Sequence, residues 1–96
     1  MELIIRGRGQ GKTTELIKRC AEEGGYIVVQ NQPEAYHISS LARDLGYNIP
    51  FPLTAHEFLT GAYYGAGVKK LWIDNADIIL QRISTVPIEA ITLTEE

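Results

Sequence analysis

Two places in the chain combine residue types that can act together on one small anion. The first is the run Gly7-Arg8-Gly9-Gln10-Gly11-Lys12-Thr13-Thr14. Glycines let a backbone turn until several N–H groups face one point. A helix starting directly after them adds unpaired N–H groups and a partial positive charge. Lys12 brings a compact, mobile cation, and the Thr13 hydroxyl can bind a divalent metal ion. The second place is Asp74, which closes the apolar run Leu71-Trp72-Ile73. A carboxylate there can join Thr13 in the shell of the same ion. The implied ligand is a metal-bound chain of phosphates, with Gly7 to Thr14 as its cradle.

The remaining residues must place the loop and Asp74 side by side. Leu3-Ile4-Ile5 reads as a buried strand leading into the loop. After Lys12, the residues Leu16, Ile17, Cys20 and Ala21 share one helical face, and Gly24-Gly25 stops that helix. Tyr26-Ile27-Val28-Val29 is a strand rich in β-branched residues. Asn31-Gln32-Pro33-Glu34 begins a second helix, with a capping side chain and a proline suited to the first turn. Its apolar stripe is Ile38, Leu41, Ala42 and Leu45, and Gly46 ends it. Phe51-Pro52-Leu53 is a short strand or an extended loop. Thr54-Ala55-His56-Glu57 matches a capping box, with Leu53 and Phe58 as its hydrophobic staple, so a helix runs from Ala55 to about Gly61. Gly61 to Gly67 reads as a loop carrying two exposed tyrosines, Tyr63 and Tyr64. Leu71 to Asp74 is a strand; Ala76, Ile79, Leu80 and Ile83 give a last helix face; and Ile88 to Thr94 reads as a final strand. Alternation of strands and helices predicts a three-layer α/β/α fold around a mostly parallel sheet of about four or five strands.

The bulk composition fits that reading. With 96 residues the chain has the length of one domain, spanning 1–96, and 45% hydrophobic residues exclude a disordered composition. A net charge of −3 argues against a domain-wide basic face, so nucleic acid as a partner gains no support from charge. The lone Cys20 allows no internal disulfide, which fits a reduced, cytoplasmic setting. The N-terminal apolar run is too short for a signal peptide, and no stretch reaches the length of a membrane span, so no membrane partner is expected.

At two motifs the chain resembles a known family. Arg6-Gly7-Arg8-Gly9-Gln10-Gly11-Lys12-Thr13 is similar to the arginine-containing loop of phage packaging terminases. Asp74-Asn75-Ala76-Asp77 is similar to the D-E-A-D pattern of helicase-type ATPases. Together they resemble the additional-strand ATPase branch of P-loop proteins, which includes RecA-like helicases, terminases and AAA ATPases. The resemblance implies Mg²⁺ and ATP as cofactors, with Thr13 and Asp74 on the metal and Lys12 on the β- and γ-phosphates. It implies that Ile88 to Thr94 lies between the strands carrying Lys12 and Asp74, with Thr92 or Thr94 near the γ-phosphate. It also implies a role in phage DNA metabolism or packaging, in the host cytoplasm, with a second subunit or larger partner completing the site. GTP is disfavoured, because the family's N-K-x-D base-reading motif is missing.

The departures are specific. Arg6 stands where the loop pattern has its first glycine, and Gly7 would take over the turn. The branch has glutamate directly after the aspartate, where it activates the attacking water; this chain has Asn75. An amide accepts no proton near neutral pH, though it can hydrogen-bond a water. Hydrolysis is therefore expected to be slow or dependent on a partner. Two readings of Arg8 stand side by side: an arginine acting in cis on the γ-phosphate, or a solvated loop charge. The catalytic candidates are thus Lys12, Asp74, Asn75 and Arg8. His37 and His56 read as exposed helix residues, Trp72 as core, and Lys69, Lys70 and Arg82 as surface charges. The alternative functions are a non-hydrolysing ATP-binding module that regulates a partner and, last, a small nucleotide or metabolite kinase.

Overall fold

In the computed structural model, which describes residues 1–5, 11–61 and 67–93, each helix boundary falls where its residue types require. Helix α1, Lys12–Glu23, starts at Gly11 and ends at Gly24, both with positive φ. Strand β1, Tyr26–Val29, follows. Helix α2, Gln32–Leu45, is capped by the Asn31 side chain, which accepts the Glu34 N–H at 2.9 Å, and Gly46 closes it in the left-handed region. Strand β2 is Leu53–Thr54, and helix α3, Ala55–Thr60, opens with the expected capping box. In that box the Thr54 hydroxyl accepts the Glu57 N–H, and the Glu57 carboxylate accepts the Thr54 N–H. Strand β3, Leu71–Ile73, and helix α4, Ala76–Arg82, complete the set.

The three strands form a parallel sheet in the order β2-β1-β3. Because strand side chains alternate, β1 feeds two cores. Ile27 and Val29 pack with Leu16, Ile17 and Cys20 of α1 and with Ala35, Ile38 and Ala42 of α2. On the opposite face, Val28 packs with Leu53, Ala55 and Ile79, and Tyr26, Phe58 and Leu71 lie against that cluster. Helices therefore cover both faces, α1 and α2 on one and α3 and α4 on the other. Both chain segments next to β1 are needed to bury it, and it is the best-buried strand of the sheet.

At the amino ends of the strands the chain is tied by close backbone contacts. Tyr26 donates to the Lys70 carbonyl at 3.1 Å, and a Cβ on Gly25 would stand 2.5 Å from that same oxygen. The Trp72 indole donates to the Gly24 carbonyl at 2.8 Å. Arg19 lies over the Trp72 ring, 5.4 Å from its centroid, and holds Glu2 with two bonds of 2.7 and 2.8 Å. Trp72, half-buried, packs against the α1–α2 core as expected and also ties the amino ends together.

Among the described residues two expected strands do not form, so the sheet has three strands there rather than the expected four or five. Leu3-Ile4-Ile5 has no strand partner; Ile5 is 80% exposed, and only Ile4 packs against the α1–α2 core. Residues 88–93 lie outside the sheet, and Thr94 falls outside the described residues. The physical reason for the second is local. Gln81 and Ser84 capture the backbone that a ladder would use: Gln81 Nε2 and Ser84 Oγ donate to the Val86 carbonyl, and Gln81 Oε1 accepts the Ile88 N–H at 2.8 Å. Residues 88–93 therefore do not take the expected place beside β3 in the sheet. Helix α4 also buries less than expected, since only Ile79 is buried while Leu80 and Ile83 are exposed. Among the described residues, no helix is long and apolar enough to cross a membrane.

Candidate functional site

Parallel strands point their carboxyl ends the same way, and ligands of open α/β sheets bind at that edge. The left-handed Gly11 (φ 80°, ψ 15°) delivers α1 to this edge with its first turn foremost. No side chain caps that turn, so the N-terminal N–H groups and the dipole end belong to Lys12, Thr13 and Thr14. One residue beyond β3, Asp74 donates its N–H to the Val28 carbonyl at 3.1 Å, which fixes it beside the end of β1.

These placements bring together two residues 61 positions apart in the sequence. The Thr13 hydroxyl donates to the Asp74 carboxylate, 3.2 Å from Oδ2 and 3.4 Å from Oδ1. Asp74 is only 4% exposed. Burial pushes its carboxyl above the ordinary aspartate value; the Thr13 bond and the Lys12 charge work against that rise, and the charge of Glu34 adds to it. Lys12, Thr13 and Asp74 are therefore one electrostatic unit. The carboxylate is buried against a hydroxyl and next to a lysine, and its negative charge is incompletely compensated.

Asn75 sits beside it with φ 53° and ψ 54°, the one non-glycine residue with positive φ among those described. Its carbonyl receives the N–H groups of Ile78 and Ile79, and its side-chain amide reaches Asp74 Oδ2 at 3.5 Å. The residue before α4 is thus Asn75, so Asp74 is not spent on capping that helix. Asparagine tolerates the left-handed region better than glutamate does. A glutamate at position 75 would therefore be strained in this backbone.

The residues present fit a divalent ion that arrives with phosphates. Among the described residues, no three His, Cys, Asp or Glu side chains gather to hold a metal. One hydroxyl and one carboxylate are, however, the few protein ligands magnesium takes when substrate phosphates and water supply the rest. Thr14 lies exposed on the same turn. Gly7, Arg8, Gly9 and Gln10, like Tyr63 and Tyr64, fall outside the described residues. His37, His56 and Asp77 are exposed, and Thr92 is exposed outside the sheet rather than at a strand end. Lys70 pairs with Glu23 at 3.1 Å, at the amino ends of the strands, and Arg82 donates to the Gln30 side chain at 3.2 Å, just past the carboxyl end of β1. Two shallow depressions, of about 340 and 330 Å³, lie elsewhere: one along α2 and one at the amino ends of β1 and β3. Neither includes Asp74 or Thr13.

Glu34 is the residue acting on Asp74 that the sequence did not single out. Its place in the first turn of α2 looks like ordinary helix-start composition. The available signal was topological: α2 follows the strand that pairs with the strand ending at Asp74. Comparison with protein-family models, with curated proteins and with solved structures finds no match to this chain.

Proposed function

We propose that the chain binds Mg-ATP at the carboxyl edge of its sheet and hydrolyses it slowly or only with a partner. The observation that carries this reading is the Thr13–Asp74 contact at 3.2 Å, formed across the fold by the two residues assigned to one metal ion. Support also comes from the uncapped first turn of α1, which directs N–H groups and Lys12 to the same edge. Magnesium bound there would neutralise phosphate charge and the buried Asp74 together.

The protein's own groups would then have separate tasks. Lys12 binds the β- and γ-phosphates as a mobile point charge. The α1 N–H groups orient the phosphate chain, which leaves the γ-phosphorus open to in-line attack. Thr13 and Asp74 hold the metal's protein side, and Asn75 can hydrogen-bond a water but takes no proton from it. Arg8 in the loop is the candidate for charge on the transferring group. A larger assembly, in phage DNA packaging or related DNA metabolism, would supply what this small site lacks.

The left-handed Asn75 favours a second reading, a module that binds ATP without turnover and signals its presence to a partner. Calorimetric titration tests the common core of both. Lys12→Ala should weaken Mg-ATP binding by about 100-fold or more, as expected when a charged partner is removed from a phosphate. Equal affinity of wild type and variant rejects the assigned site. Phosphate release from the wild type, with and without DNA, then separates an ATPase from a silent module.

A further inference from the structure

We propose that Glu34 is the general base of this site, accepting the proton of the water that attacks the γ-phosphate. The inference deepens the ATPase reading and rests on it. Three placements lead to it. First, Asp74 is hydrogen-bonded to Val28 of β1, so the ends of β1 and β3 form one edge. Second, only Gln30 and Asn31 separate β1 from α2, so the first turn of α2, which contains Glu34, stands over that same edge. Third, α1 and α2 lie on the same face of the sheet. Ala35, next to Glu34, is fully buried in one cluster with Leu16 and Ile17 of α1. The first turns of both helices therefore flank Asp74, one bringing Lys12 and Thr13 and the other Glu34.

Four other carboxylates are committed or exposed elsewhere. Glu57 closes the capping box of α3, Glu2 is held by Arg19, Glu23 pairs with Lys70, and Asp77 is exposed on α4. Among the described residues the Glu34 carboxylate has no hydrogen-bonding or ionic partner, and the residue is half-buried. In the step assigned to it, the water oxygen forms a bond to the γ-phosphorus as the bond to the bridging oxygen breaks. That electron pair leaves on the β-phosphate of ADP. One water proton passes to the Glu34 carboxylate and from there to solvent. Asn75, unable to accept a proton, hydrogen-bonds the water instead.

The test compares wild type, Glu34→Gln and Glu34→Asp, reading Mg-ATP affinity by calorimetry and phosphate release in a single turnover. Glu34→Gln should keep affinity within about threefold and lose turnover by about 100-fold or more, the scale of general base catalysis. Glu34→Asp keeps the charge at the helix start but withdraws the carboxylate by one methylene. It should fold, bind like wild type and lose about tenfold or more in turnover. Wild-type turnover in either variant overturns the assignment. So does parallel loss of affinity and turnover, which marks a structural role, and so does a wild type that binds Mg-ATP without releasing phosphate. A wild type that fails to bind Mg-ATP instead removes the ATP site itself.

Discussion

The two ends of the parallel sheet are built on opposite principles. At the amino end, every conspicuous group has its partner. Gly25 admits the Lys70 carbonyl, Trp72 donates to Gly24, and Arg19 bridges Glu2 and the indole face. At the carboxyl end, a buried aspartate has a pKa raised by its surroundings, its neighbour Asn75 is left-handed, and Glu34 adds like charge. Local rules are obeyed where the fold is held and broken where a ligand would sit, the distribution expected of a functional site.

The largest effect that would break this contrast belongs to the amino end. Gly25→Ala places a methyl against backbone at 2.5 Å and asks a side chain to adopt φ +97°. The variant should lose about 2–4 kcal/mol of stability in urea denaturation. If it unfolds like wild type, the amino end is not the rigid one.

Next comes the left-handed residue. Asn75→Glu should cost about 1 kcal/mol or more in the same measurement, and Asn75→Gly should be close to neutral, because glycine has no penalty in this region. A stabilised glutamate variant would mean that the backbone does not select against the missing base.

The smallest effect is a pH dependence. Asp74 has a folded-state pKa above its unfolded value, so the folded chain binds its proton more readily. Its ionisation therefore disfavours folding near neutral pH. That penalty fades as pH falls through the folded-state pKa and is gone below the ordinary aspartate value. Asp74→Asn should remove this contribution. The stability difference between variant and wild type should then shrink on acidification, against a common background from Glu2, whose shift has the opposite sign.

Much of this contrast is legible in residue order alone, and the remainder has physical reasons to be hidden. Gly11, Gly24, Asn31, Gly46 and Thr54 each mark a helix end that the structure places at the same residue. Lys12, Thr13 and Asp74 could be singled out because the proposed phosphate site needs those types at those ends, and the structure brings Thr13 and Asp74 into contact. The strands at Leu3 to Ile5 and Ile88 to Thr94 were not identifiable. Three apolar residues look alike whether or not an edge is available, and the capture of Val86 and Ile88 by Gln81 and Ser84 depends on a turn no periodicity reveals. The proposed role of Glu34 depends on which strands are neighbours, which sequence spacing does not state. The left-handed Asn75 was hidden for a simpler reason: an asparagine in that position is compatible with helix, cap or turn.

The measurement closest to the central claim is calorimetric titration of ATP with magnesium and with a chelator, on wild type and Asp74→Asn. The account predicts that magnesium tightens ATP binding to wild type by about tenfold or more and that this gain disappears in the variant. Magnesium tightening of equal size in both proteins would contradict it, because Asp74 would then not hold the proposed metal ion.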